Sequence, residues 1–209
     1  MGFLRNLIDS FNAFLEKRRE KRRIEQERRR IERERRLEEE RRRQEQERFL
    51  YRLGNDFEDY VIGMFDPEKF ELIHRTPTND DTNGRFVHSM VYPDLRFREI
   101  ATGRKFWVEV KFRARTEDRG VITWCNDNQL RNYKKTMYES RNPVFIMIGL
   151  GGTVQNPEKI FCLNLDRINF TTLYYGTYVH NRVINRRIES FEELIDIDGK
   201  AETDNHFRH

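Results

Sequence analysis

The sequence predicts an α/β fold: a helix, three strands, a helix and two strands form a mixed sheet flanked by helices, preceded by a long charged N-terminal helix. Three observations predict it. Residues 16 to 48 contain almost nothing except Arg, Glu, Gln and Lys, the composition of an exposed helix. After Pro67, short β-rich runs alternate with polar turns and one helical stretch. The stretch "YPDLRFREIATGRKFWVEVKF", residues 92 to 112, has the form of a hairpin with carboxylates on both strands.

Taken in order, "GFLRNLIDSFNAFL" places Phe3, Leu4, Leu7, Ile8, Phe11, Phe14 and Leu15 at the three-and-four spacing of one helical face, so residues 1–15 form an amphipathic helix. Residues 16–50 follow as a long charged helix, a spacer or coiled coil. Strong helix formers and many Glu–Arg pairs three or four apart support it over about 50 Å at 1.5 Å per residue. Ile24, Ile31 and Leu37 are too sparse for the two apolar positions per heptad that a coiled coil wants, which favours an isolated helix. Gly54 interrupts, and "NDFEDYVIGMF" opens a new helix with Asn55 as N-cap and Glu58 at the capping-box position. Residues 51–209 suit one domain with a sizeable core.

Within that domain "FELIH" is a strand, "TPTNDDTNG" a polar loop, and residues 90 to 98 and 105 to 113 are strands joined by "ATGR". In "FWVEVKF", Phe106, Val108, Val110 and Phe112 point one way and Trp107, Glu109 and Lys111 the other, so one face is core and the other charged. "CNDNQLRNYKKTMYES" is a helix capped by Asn126 or Asp127, followed by the strands "PVFIMIGL" and "KIFCLNL". Beyond residue 170 the pattern weakens. "SFEELIDI" suits a closing helix or strand.

Composition excludes several classes. Cys125 and Cys162 lie far apart and form neither a CxxC pattern nor a disulfide framework, which points to buried thiols in a reducing, cytoplasmic setting. No apolar run approaches the roughly 20 residues that cross a bilayer, and the N-terminus places charge after its apolar positions, the reverse of a secretory signal. Asn6 stands where N-myristoylation wants Ser or Thr. His74, His88, His180, His206 and His209 have no metal-ligand spacing, which argues against zinc chemistry.

Charge is uneven. Residues 1 to 50 hold 17 Lys and Arg against 12 Asp and Glu, whereas residues 96 to 135 hold 11 against 5. Positive charge gathers around the hairpin, as a polyanion-binding surface requires. Arg96, Arg98, Arg104, Lys105, Arg113, Arg115, Arg131, Lys134 and Lys135 are the candidate phosphate contacts.

Pro93–Asp94 on one hairpin strand, "EVK" at 109–111 on its partner, Glu58 on the preceding helix and "QLRNY" at 129–133 on the following one together resemble the PD-(D/E)XK, or restriction-endonuclease-like, nuclease superfamily. The Gln-x-x-x-Tyr element resembles that of some Holliday-junction-resolvase-like and helicase-associated exonuclease branches. The resemblance covers roughly residues 51 to 165 and rests on element order as well as on the short motif. Each part also has a plain structural reading: Glu58 and Gln129 as helix caps, Pro93 as a strand start, Tyr133 as packing.

The resemblance implies a restriction-endonuclease-like core and a Mg²⁺- or Mn²⁺-dependent nuclease acting on DNA, with RNA left open. Phosphodiester hydrolysis must offset charge on the phosphate and generate hydroxide near neutral pH, and a hard cation held by carboxylates does both. Asp94 and Glu109 would be metal ligands, with the Val110 carbonyl a third and Glu58 completing the shell. Lys111, on the same face, would orient the attacking water or offset phosphate charge. Gln129, Tyr133, Arg113 and Lys134 would contact the nucleic acid. A second reading, from a different class, is a non-catalytic tether: an amphipathic helix docked on a membrane surface or partner, a spacer, and a nuclease-like domain that only binds nucleic acid. In either reading the N-terminal helices would pair as a homodimer or touch a membrane peripherally.

Overall fold

A computed structural model describes residues 2–76, 92–183, 187–195 and 197, with side chains described from residue 14 onward and at Asn12. It shows an α/β chain: a long N-terminal helix followed by a five-stranded mixed sheet with short helices. Tertiary contacts divide the chain into Met1–Tyr51 and Arg52–His209.

Helix α1 runs Gly2–Met64 without a break. The boundary expected at Gly54, with Asn55 capping a second helix, does not exist, and Glu58 is therefore a mid-helix residue, not a capping one. Glycine inside a helix costs about 1 kcal/mol. Burial of Phe57, Val61 and Met64 in the next turns outweighs that cost. In the first unit, residues 16–50 are exposed throughout, including Ile24, Ile31 and Leu37. Ion pairs four residues apart line the helix, among them Arg29–Glu25 at 2.7 Å, Arg36–Glu32 at 2.6 Å and Arg42–Glu38 at 2.8 Å. Of the N-terminal apolar stripe, Phe14 is exposed and Leu15 half-buried, whereas the side chains of Phe3, Leu4, Leu7, Ile8 and Phe11 lie outside the described residues. No helix among the described residues is long and apolar enough to cross a membrane.

The second unit is built on strands β1 (Phe70–Arg75), β2 (Leu95–Glu99), β3 (Lys105–Arg113), β5 (Val144–Thr153) and β6 (Asn156–Asn164) in the order β1-β2-β3-β5-β6. β3 and β5 are parallel and the other neighbours antiparallel. Helix α2 (Asp127–Ser140) supplies the crossover that a parallel pair needs. A ribbon of β4 (Ile122–Thr123) and β7 (Thr172–Leu173), and the short α3 (Tyr175–Tyr178), complete the unit. The expected loop after Thr76, the strand start at 90–91, His88, and the tail with His206 and His209 lie outside the described residues. Residues 191–195 are helical, which resolves the expected closing element as a helix.

Both faces of the sheet's centre, β3 and β5, are buried. On one, Phe57 and Val61 of α1 and Phe65 just beyond its end pack on Phe97, Phe106, Val108 and Phe145. Gly149 of β5 makes this approach possible, because a Cβ there would lie 2.4 Å from the Phe57 ring. On the other face, Tyr133 and Met137 of α2 cover Trp107, Ile146 and Ile148, with Trp124 beside them. The face of β3 that carries Trp107, Glu109 and Lys111, expected to be the charged one, is therefore covered as well. A strand with a parallel neighbour and a crossover helix is covered on both sides, and Trp107 is 5% and Glu109 0% exposed.

A buried carboxylate and lysine cluster

Strand pairing brings the sequence candidates together. Leu95 pairs with Val108 across β2 and β3, so Asp94, one residue before β2, stands opposite Glu109. The main chain at this point is held from β1's end. The Thr76 N–H donates to the Asp94 carbonyl at 2.8 Å, and its hydroxyl donates to the Pro93 carbonyl at 2.8 Å. Asp94 Oδ2 accepts from the Val110 N–H at 2.9 Å, so its side chain extends the ladder where the main chain has turned away. In a strand the N–H and C=O of one residue face the same neighbour, which turns the Val110 carbonyl toward the Asp94 side as well.

Lys111 Nζ sits 2.5 Å from Glu109 Oε1 and 4.0 Å from Asp94 Oδ2. The two carboxylates hold its ammonium above the ordinary lysine range despite burial. Glu109 is pushed up, first by burial and then by the charge of Asp94, against the opposing Lys111. Its Oε1 also accepts from the Tyr133 hydroxyl at 2.9 Å. Glu109 Oε2 is buried and has no hydrogen-bond partner. A native buried oxygen without a partner calls for an explanation.

Glu58, 8% exposed on α1, joins this group: burial first, then the charge of Asp94, raises its carboxyl to about 7. Arg75 at the end of β1 opposes that rise, donating from Nε to Glu58 Oε2 at 2.9 Å and from Nη1 to Asp59 Oδ1 at 2.7 Å. Sequence reasoning missed Arg75. Its role depends on β1 ending beside α1, a long-range placement that no local pattern signals.

The candidate substrate contacts fare differently. Tyr133 is 0% exposed and engaged with Glu109, so it packs within the cluster and does not face a polymer. Gln129 forms the capping box of α2 with Asn126 and lies 3.3 Å from the Tyr133 hydroxyl. Arg113 folds onto the Thr123 carbonyl at 2.7 Å, and Lys134 donates to the Leu165 carbonyl at 2.7 Å, where both brace the main chain. Among the other basic candidates, Arg98 pairs with Glu71, Arg104 with Glu192, and Lys135 with Glu139. Arg96 lies over the Trp107 ring at 4.9 Å. Lys105 and Arg115 are exposed.

Both cysteines are buried and neither forms a disulfide. Burial, aided by Glu109, pushes Cys125 up to about 12, which leaves it inert as a nucleophile at neutral pH.

Among the described residues no three His, Cys, Asp or Glu side chains stand gathered as a metal-ligand cluster. The donor chemistry nevertheless fits a hard divalent cation. Asp94, Glu109 and Glu58 offer carboxylate oxygens, one of them the orphaned Glu109 Oε2, and burial followed by the charge of Asp94 raises the carboxyls of Glu58 and Glu109, a crowding of acidic groups that a divalent cation would relieve. Comparison with protein-family models and with curated proteins finds no match.

Proposed function

We propose that the unit Arg52–His209 is a metal-dependent nuclease of the PD-(D/E)XK, restriction-endonuclease-like type, hydrolysing phosphodiester bonds in DNA. The observation that carries it is the convergence of Asp94, Glu109 and Lys111, from two adjacent strands, within 2.5 to 4.0 Å at one partly buried point. A fold gains little stability from burying such a set. Structural use is thus a weak account of it, and chemistry a strong one.

In this reading Asp94, Glu109, the Val110 carbonyl and Glu58 hold Mg²⁺ or Mn²⁺. The ion, when bound, supplies Lewis acidity and lowers the pKa of a coordinated water. Lys111 offsets the charge that grows on the phosphate oxygens as water adds to phosphorus and the bond to the leaving oxygen breaks. Tyr133 holds Glu109 in place by its hydroxyl, and Gln129 holds the start of α2. Arg75 keeps Glu58 positioned at the rim.

The test is incubation of the purified chain with duplex, single-stranded and branched DNA and with RNA, with and without Mg²⁺ or Mn²⁺. Metal-dependent cleavage that vanishes in Asp94→Asn supports the reading. Absence of cleavage on every substrate with both metals overturns it.

A further inference from the structure

The segment after β6 exposes three aromatic side chains, Phe170 at 74%, Tyr174 at 66% and Tyr175 at 56%. Scattered apolar groups on a surface need no explanation, but Phe170 and Tyr174 border one cleft of about 520 Å³ between this segment and α2. The main chain beneath the rings is fixed. β7 pairs with β4 through Ile122 with Leu173 and Thr123 with Thr172. Trp124 donates from its main-chain N–H to the Thr171 carbonyl and from Nε1 to the Phe170 carbonyl, both at 3.0 Å.

The cleft lining is largely neutral. Asn169, Thr171, Thr172 and Thr177 offer amide and hydroxyl groups, Leu130 an apolar surface, and the charged members, Asp127 and Arg167, are of opposite sign. Such a lining does not suit a phosphate. It suits a flat, neutral heterocycle with donors and acceptors on its edge, stacked against an aromatic wall. The ribbon also leads back to the carboxylate cluster, because the Thr123 carbonyl accepts from Arg113, two residues beyond Lys111 on β3.

We infer that this cleft is a subsite for an unpaired nucleobase, so that the nucleic acid cut at the Asp94, Glu109 and Lys111 cluster carries a single-stranded segment. The inference rests on the nuclease reading for its substrate. A base held in a duplex is stacked and paired and cannot enter.

Fluorescence anisotropy of a labelled oligothymidylate of about 12 nucleotides, against a duplex of equal length, tests it on the full chain in EDTA, where no cutting occurs. Phe170→Ala and Tyr174→Ala should each weaken single-strand binding about tenfold while duplex binding changes less than about twofold, and Tyr174→Trp should retain it. Equal affinity of wild type and both alanine variants for the single strand overturns the inference, as does an equal loss on duplex. If the same substitutions instead turn a dimer into a monomer and spare oligonucleotide binding, the rings are a contact between copies and the inference falls. Metal-dependent cleavage is scored separately. A wild-type chain that cuts duplex but does not bind the oligonucleotide refutes the subsite alone, whereas one that binds it and cuts nothing refutes the nuclease reading and leaves the cleft a binding site.

Discussion

The Tyr133 hydroxyl donates to Glu109 Oε1 at 2.9 Å, tying helix α2 to strand β3 at the residue that also receives Lys111. The bond couples a core aromatic to the carboxylate cluster. Tyr133→Phe keeps the ring and removes the donor. Loss of a hydrogen bond to a buried charged group costs about 2 kcal/mol, and partners that orient a ligating group are worth about tenfold or more in activity. The bond also holds down the Glu109 pKa, so its removal should move the acid limb of the rate profile to higher pH. A rate profile identical to wild type would reduce Tyr133 to packing.

Lys111 neutralises the buried Glu109 and lies 4.0 Å from the half-buried Asp94, so its removal should cost stability as well as activity. Breaking a buried ion pair by deleting one partner costs about 3 kcal/mol or more. Lys111→Ala should therefore unfold at lower denaturant at pH 8, where Glu109 loses the opposing charge that Lys111 supplies, and should recover part of the difference at pH 5, where a proton more readily takes its place. Asp94→Asn removes one of the confronting charges and should leave stability equal or higher while abolishing cleavage. Chemical denaturation at the two pH values, with cleavage assayed alongside, checks both.

The pH dependence of stability has a definite sign. Glu58, raised from 4.5 to about 7 in the fold, binds its proton more tightly than the unfolded chain does. Its contribution is fully present below about pH 4.5 and is lost as pH rises through about 7, an effect of roughly 3 kcal/mol at 1.36 kcal/mol per pH unit. Glu109, also raised, acts in the same direction. A divalent cation reverses the balance, because it favours the ionised carboxylates and competes with protons. Mg²⁺ should therefore raise the unfolding midpoint more at pH 8 than at pH 5, and Glu58→Gln should flatten the slope in its absence. A midpoint insensitive to Mg²⁺ at pH 8 would count against the metal assignment.

The sheet and the cluster were legible in the sequence because each depends on local signals. Period-2 alternation marked β2 and β3, the Asn126 and Gln129 capping pair marked the start of α2, and the spacing of Asp94 and Glu109 across one Gly-containing turn placed them opposite each other. What was hidden depends on distant pairing. Burial of the Trp107 and Glu109 face follows from β5 lying parallel to β3, which the alternation within β3 cannot report. Continuity of α1 through Gly54 depends on the core that Phe57 and Val61 enter, and glycine's weak helix preference points the other way. Arg113 and Lys134 carry the right charge for phosphate, yet carbonyls at Thr123 and Leu165 claim them first. The β4 and β7 ribbon is two residues on each strand, too short for any periodic signal.

The N-terminal helix yields the last prediction. Its exposed ion pairs, such as Arg30–Glu34 at 3.0 Å and Arg43–Glu47 at 3.1 Å, have the spacing that stabilises an isolated helix by a few tenths of a kcal/mol each. Together with residues of high helix propensity they account for helix over residues 16–50 without a buried face. Such pairs are screened by salt, the screening length falling from about 30 Å at 0.01 M to about 3 Å at 1 M. A peptide of residues 16–50 should thus be strongly helical at low salt, lose helicity across that range, and show no concentration dependence. The apolar positions Phe3, Leu4, Leu7, Ile8, Phe11, Phe14 and Leu15 ask for a separate sink, and self-association of the N-terminal helices is the proposal tested here, with a membrane surface or another protein as the competing ones. Removal of residues 1–51 should leave the unit from Arg52 onward folded, metal-binding and able to cut, and light scattering should find it in a smaller assembly than the full chain. If both proteins are monomeric, self-association is wrong. Sedimentation of the full chain with anionic liposomes then distinguishes the membrane, where Lys17, Arg18, Arg19, Lys21, Arg22 and Arg23 would each add about 1 kcal/mol of attraction, from a protein partner.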